Sequence, residues 1–124
     1  MKAFRLLSVV VLAVCVWGAA IAAPVAPTVR SEINVLLKRM QAAGCTFNRN
    51  GTWYSGTDAQ AHLLKKLEYF EGKSMVKTTE DFITLAASTS SSSGKPYWVR
   101  CGDAQPVNSG IWLQEQLKLL REAK

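Results

Sequence analysis

Residues 45–55, CTFNRNGTWYS, decide the fold. Asn50-Gly51 is a strong two-residue turn signal, because both central positions of a type I′ turn need positive φ and the flanking residues favour strands. A hairpin closed there sets Arg49 opposite Thr52, Asn48 opposite Trp53 and Phe47 opposite Tyr54. By the two-residue period of a strand, Cys45, Phe47 and Tyr54 then share one face. Asn50-Gly51-Thr52 also fits a glycosylation acceptor, which matters only in a eukaryotic secretory host.

Moving outward, a second strand signal lies at residues 97–101, YWVRC, where Tyr97, Val99 and Cys101 share a face. Docked beside residues 45–48, it brings Cys45 and Cys101 together on the buried side. Trp53, Trp98 and Arg100 fall on the opposite side, next to Asn48. Such a face is either a stacking platform for a sugar or peptide or, more commonly, is covered by a helix. Before this strand runs a hydroxyl-rich loop, Ser88-Thr89-Ser90-Ser91-Ser92-Ser93, followed by Gly94-Lys95-Pro96. Six hydroxyls in a row need partners or water, and Pro96 forbids helix continuation.

Helical periodicity fills the remainder. Val29, Ile33, Leu36, Leu37 and Met40 predict a first helix, capped by Thr28 and ended at Gly44. The pattern Thr57-Asp58-Ala59-Gln60 predicts a capping box for a second, with Ala59, Leu63, Leu67 and Phe70 as its apolar stripe. His62, Lys66 and Tyr69 flank that stripe, and a lysine so close to the core needs to snorkel or find acceptors. A third helix starts at Thr78 with Asp81 three residues on and buries Phe82, Ile83 and Ala86. Residues 102–108 read as a turn-rich excursion, after which Ser109 caps a last helix carrying Ile111, Trp112, Leu113, Leu117 and Leu120. The fold class is therefore α+β, with about four helices packed on a small antiparallel sheet of about three strands.

The start of the chain reads as a secretory signal over residues 1–22. Lys2 and Arg5 precede an apolar run over residues 6–16, and Ala20-Ile21-Ala22 offers the small-x-small cleavage pattern. A membrane span over residues 6–23 and a lipidated Cys15 are weaker readings of the same stretch. Cleavage near Ala22 leaves residues 23–28 as a leader and 29–124 as a single domain, periplasmic or secreted, with no membrane span. It also leaves an even pair of cysteines, Cys45 and Cys101, which an oxidising compartment would join. A metal site is not expected, since His62 is the only histidine and no CxxC occurs, and no cofactor motif is present. The formal charge of +6 drops by two once Lys2 and Arg5 leave. That excess is too mild and too scattered for a nucleic-acid binder.

Several spaced blocks, in one order, resemble the YfeK-like family of short exported bacterial proteins. They are Arg49-Asn50-Gly51, Ala59 with His62-Leu63 and Lys66-Leu67, Thr78 with Glu80 and Phe82-Ile83, and the serine loop into Gly94-Lys95-Pro96-Tyr97. The likeness spans residues 47–99. It implies an exported bacterial α+β domain and carries no catalytic role. Cys45, Cys101 and the last helix lie outside it.

Enzyme signatures are thin. Ser92-Ser93-Gly94-Lys95 and Ser74-Met75-Val76-Lys77 match SxxK without its companion motifs, and a phosphate loop fails because residue 89 is Thr and Pro96 follows Lys95. A hydrolase would pair His62 with a loop serine, oriented by Asp81 or Glu80. The favoured reading is a binding module in which Arg49, Asn50, His62, Lys66, Ser90, Ser91, Lys95 and Tyr97 converge on a polar or anionic envelope ligand or a protein partner. An inhibitor or immunity-like role against an exported enzyme belongs to the same class. The alternative is a buried hydrogen-bond network that stitches the serine loop to the second helix.

Overall fold

The computed structural model describes residues 11–15, 18 and 24–124. Most of the expected signal, Ala22 included, lies outside the described residues. No described helix is long and apolar enough to cross a membrane.

Helix α1 (Pro27–Ala42) starts one residue before Thr28. Pro27, at the first helical position, is the start signal, because its missing N–H is one the helix would leave unpaired anyway. The leader is tied down: Val25 is buried, and its N–H donates to Glu71 Oε1 at 3.2 Å. Glu71 also pairs with Arg30. Strands β1 (Cys45–Arg49) and β2 (Thr52–Ser55) form the expected hairpin in the expected register. Its turn residues have φ of 52° at Asn50 and 86° at Gly51.

Helix α2 (Gly56–Gly72) follows β2 with no linker. Its cap is Ser55, whose Oγ accepts from the Asp58 N–H at 3.2 Å, and not Thr57. The chain leaves the sheet at Ser55, so the first orphan donors lie there. Helix α3 (Thr79–Ala86) has the expected capping box between Thr78 and Asp81.

Strand β3 (Trp98–Cys101) pairs antiparallel with β1, Cys45 opposite Cys101 and Phe47 opposite Val99. The Cys45–Cys101 disulfide is formed, with the Cα atoms 4.2 Å apart. Within the excursion expected after Cys101, β4 (Val107–Asn108) adds a fourth strand, giving the order β2-β1-β3-β4. Two residues are too few to show a period, so this strand exists only because the edge of β3 is there to pair with. Asn108, not Ser109, stands before α4 (Ser109–Glu122). Ser109 is buried instead, and its N–H donates to the Tyr97 carbonyl at 2.9 Å. Ile111, read as part of the apolar stripe, is exposed.

Helices α2 and α4 lie against the inner face of the sheet, and α1 and α3 pack on them. Phe82, Ile33, Leu36, Leu67 and Leu113 are fully buried between them. Trp112 meets Phe47 edge to face, with centroids 5.8 Å apart. Arg121 of α4 bonds Glu32 of α1 and Glu80 of α3, and the buried Thr79 hydroxyl donates to Glu32 at 2.7 Å. Contrary to the commoner expectation, no helix among the described residues covers the outer face of the sheet. Trp53 and Trp98 stay exposed there, because all four helices are needed to close the inner core.

Candidate functional site

Strand parity turns Arg49 to the inner face with Cys45 and Phe47. Between the hairpin and the first two turns of α2 this leaves a cleft of about 160 Å³. Met40, Phe47, Ala59 and Leu63 give it an apolar floor, and Arg49, Tyr54, Asp58, His62 and Tyr97 supply polar atoms. Arg49 Nη2 donates to the Tyr54 hydroxyl at 3.4 Å, and its guanidinium lies 5.2 Å from that ring's centroid. No ion pair to Arg49 occurs among the described residues.

Behind the cleft runs a chain of three side chains. Lys66 Nζ donates to the Thr89 carbonyl at 2.8 Å and to the Tyr97 hydroxyl at 3.1 Å. The Tyr97 oxygen lies 3.1 Å from His62 Nε2. Lysine has only donors, so the assignment that wastes none has the Tyr97 hydroxyl donating to Nε2 and the imidazole proton on Nδ1. A neutral His62 agrees with its surroundings, since burial and then the charges of Arg49, Lys66 and Lys65 lower its pKa. Burial, and after it Arg49, brings Lys66 down to about 8. Burial raises Tyr97. Lysine near the core thus finds acceptors, a carbonyl and a phenol.

The pKa of Lys66 fixes a measurable pH dependence. Between about 8 and the ordinary 10.5 the unfolded chain binds a proton at this position that the folded chain has released, so stability rises with pH in that window. Urea unfolding is expected to show a gain on the order of 1–2 kcal/mol from pH 8 to 10. Lys66→Met should remove that gain; an unchanged gain in the variant would assign it to other groups.

The expected convergence is partial. Arg49, His62 and Tyr97 line one cleft, with Lys66 directly behind it. Asn50 and Ser90 meet each other instead: Asn50 Nδ2 donates to Ser90 Oγ at 3.1 Å, and Ser93 Oγ donates to Asn50 Oδ1 at 2.6 Å. Ser90 is buried, shares a bond with Ser92 Oγ, and its backbone pairs with Lys95 and Gly94. Ser91 and Lys95 are exposed and outside the cleft lining. The serine loop is therefore a folded clasp between the hairpin turn and Tyr97. Among the described residues no serine bonds His62, so the Ser–His pair of a hydrolase is not assembled.

Tyr54, Asp58, Phe47 and Ala59 belong to the cleft and were absent from the sequence-derived set. The available signal was Arg49, a cation on the strand face that also carries Cys45 and Phe47. Asp58 and His62, four apart on one helix, then face the same wall.

A description of a protein family of unknown function, DUF5329, matches residues 27–121, from the start of α1 to the last turn of α4. The chain belongs to DUF5329. Every cleft residue of this DUF5329 protein lies inside the matched span, as does the disulfide. The chain is also similar to the uncharacterized protein YfeK of Salmonella typhimurium, 38% identical over 68 residues. That stretch is 54% of this chain and 55% of YfeK, so the likeness spans about half of either. The resemblance read from the spaced blocks is thus borne out. No solved structure matches the chain.

Proposed function

We infer that this DUF5329 protein is an exported binding module that takes a small carboxylate-bearing ligand with an apolar body into the cleft between the hairpin and α2. The observation that carries this reading is Arg49, half-buried at an apolar cleft with the Tyr54 hydroxyl, and no carboxylate, as its hydrogen-bond partner among the described residues. A guanidinium offers paired N–H groups matched to a carboxylate, and a poorly hydrated setting strengthens that bond. Lys66 behind the cleft adds positive charge, against one exposed carboxylate, Asp58. The volume is similar to that of a cavity that admits benzene, so the apolar part is one ring or a short acyl chain. Export is supported by the formed disulfide and by the basic, apolar and small-residue order of residues 1–22. The serine loop, in this reading, acts through Lys66, which donates both to the Thr89 carbonyl and to the Tyr97 hydroxyl.

Titration of the oxidised protein with hexanoate, followed by amide NMR, tests the proposal. Signals of Tyr54, Ala59 and Leu63 should move, and hexanol should bind at least tenfold more weakly. Arg49→Gln should abolish that preference while melting within a few degrees of the parent. Equal binding of hexanol and hexanoate, or undiminished hexanoate binding by the variant, would remove the anion from the assignment.

A further inference from the structure

Apart from Asn48, which also borders the cleft, the outer face of the sheet carries residues that the cleft does not use. One registered row crosses all four strands: Trp53, Asn48, Trp98 and Asn108. Trp53 and Trp98 are 36% and 38% exposed, and with Asn48 and Pro106 they line a shallow groove of about 460 Å³. Arg100, on the same face of β3, holds its guanidinium 4.4 Å from the Trp53 ring centroid. The outward strand positions, Thr46, Asn48, Trp53, Ser55, Trp98, Arg100 and Asn108, include one cation and no acid.

We propose that this groove binds an extended 1,4-linked glycan bearing a carboxylate on alternate rings, as in a peptidoglycan strand freed of its peptides. The flat apolar face of an indole suits the C–H face of a pyranose, and its rim stays polar. The two tryptophans flank Asn48, so they stand two interstrand steps apart, roughly 10 Å. Alternate rings of an extended 1,4-linked chain repeat on that scale. Asn48 Oδ1 already accepts the Gly51 N–H at 3.1 Å, which leaves its amide nitrogen to donate to the sugar between the indoles. Arg100 sets the Trp53 ring and supplies the charge that a carboxylate requires. A protein partner would call for a continuous apolar patch, whereas a carboxamide and a guanidinium interrupt this one. The row runs across the strands from one edge of the sheet to the other.

The test is NMR of the indole N–H signals in the oxidised full chain. The probe is a peptide-free oligosaccharide of alternating N-acetylglucosamine and N-acetylmuramic acid, with a neutral chito-oligosaccharide of equal length as comparator. The signals of Trp53 and Trp98 should move while that of Trp112, packed on Phe47, stays still. The carboxylated probe should bind about tenfold more tightly than the neutral one, and Arg100→Gln should erase that difference. Trp98→Ala should weaken glycan binding about tenfold or more and leave hexanoate binding in the cleft unchanged. Should the variant fail to fold, the parent's indole signals decide. Indole signals that stay still, shifts confined to the cleft, or indole shifts that track protein concentration without glycan would each overturn the proposal, the last by making the face a self-association surface.

Discussion

Replacing Cys45 and Cys101 together with serine is expected to lower the unfolding free energy by about 4 kcal/mol, the chain-entropy value for the loop they close. The two cysteines are 56 residues apart in sequence, and the loop holds the hairpin, α2, α3 and the serine clasp. The bond therefore removes freedom from most of the unfolded domain. For a domain of this size the loss corresponds to a fall in melting temperature on the order of 20 °C. Domains near this length bury too little surface to absorb such a loss easily. Urea titrations of the parent and the double variant at one pH would measure it. A difference under about 1 kcal/mol would mean that the β1–β3 ladder and the core hold the two strands together unaided.

Gly56→Ala is expected to cost roughly 3 kcal/mol, although alanine is the better helix former. A Cβ at Gly56 would lie 2.2 Å from the Met40 carbonyl oxygen and 3.0 Å from Gln41 Cα. Both are backbone atoms of α1, so relief requires the two helices to separate. Asp58, Ala59 and His62 move with α2, and hexanoate binding should weaken along with stability. Gly72→Ala, at the other end of α2 with nothing within 4 Å of the added carbon, is the control and should be neutral or slightly stabilising. Equal melting of the two variants would show that the α1–α2 contact relaxes at little cost.

The hairpin was legible because Asn50-Gly51 demands a backbone few other pairs tolerate, and from that turn the parity of every flanking residue follows. Parity also placed Cys45 against Cys101 and both tryptophans on the far face. Helix starts were less legible. Helix α1 starts on Pro27 and not Thr28, Ser55 caps α2 in place of Thr57, and α4 follows Asn108 with no side-chain cap, because a helix begins wherever the chain turns out of its previous element. Strand β4 is a tertiary product with no signal of its own. The serine run was conspicuous by composition, yet the hydroxyls of Ser90, Ser92 and Ser93 are spent on Asn50 and on one another, and that of Ser88 on the Ile83 carbonyl. The cleft was half legible: Arg49, His62 and Tyr97, with Lys66 behind them, were singled out by chemistry, whereas Tyr54 and Asp58 matter only through where the hairpin and α2 meet.

Ser55 closes β2 and caps α2 at once, which makes the rotational phase of that helix a property of the sheet. A single residue inserted there would turn everything downstream by roughly 100°, carrying His62 from the cleft wall toward solvent. A family built on this junction can vary in length after Gly72 or around residues 102–106, but its strand-to-helix corner has no slack. Length differences among relatives should therefore collect at those two turns and avoid residues 52–58.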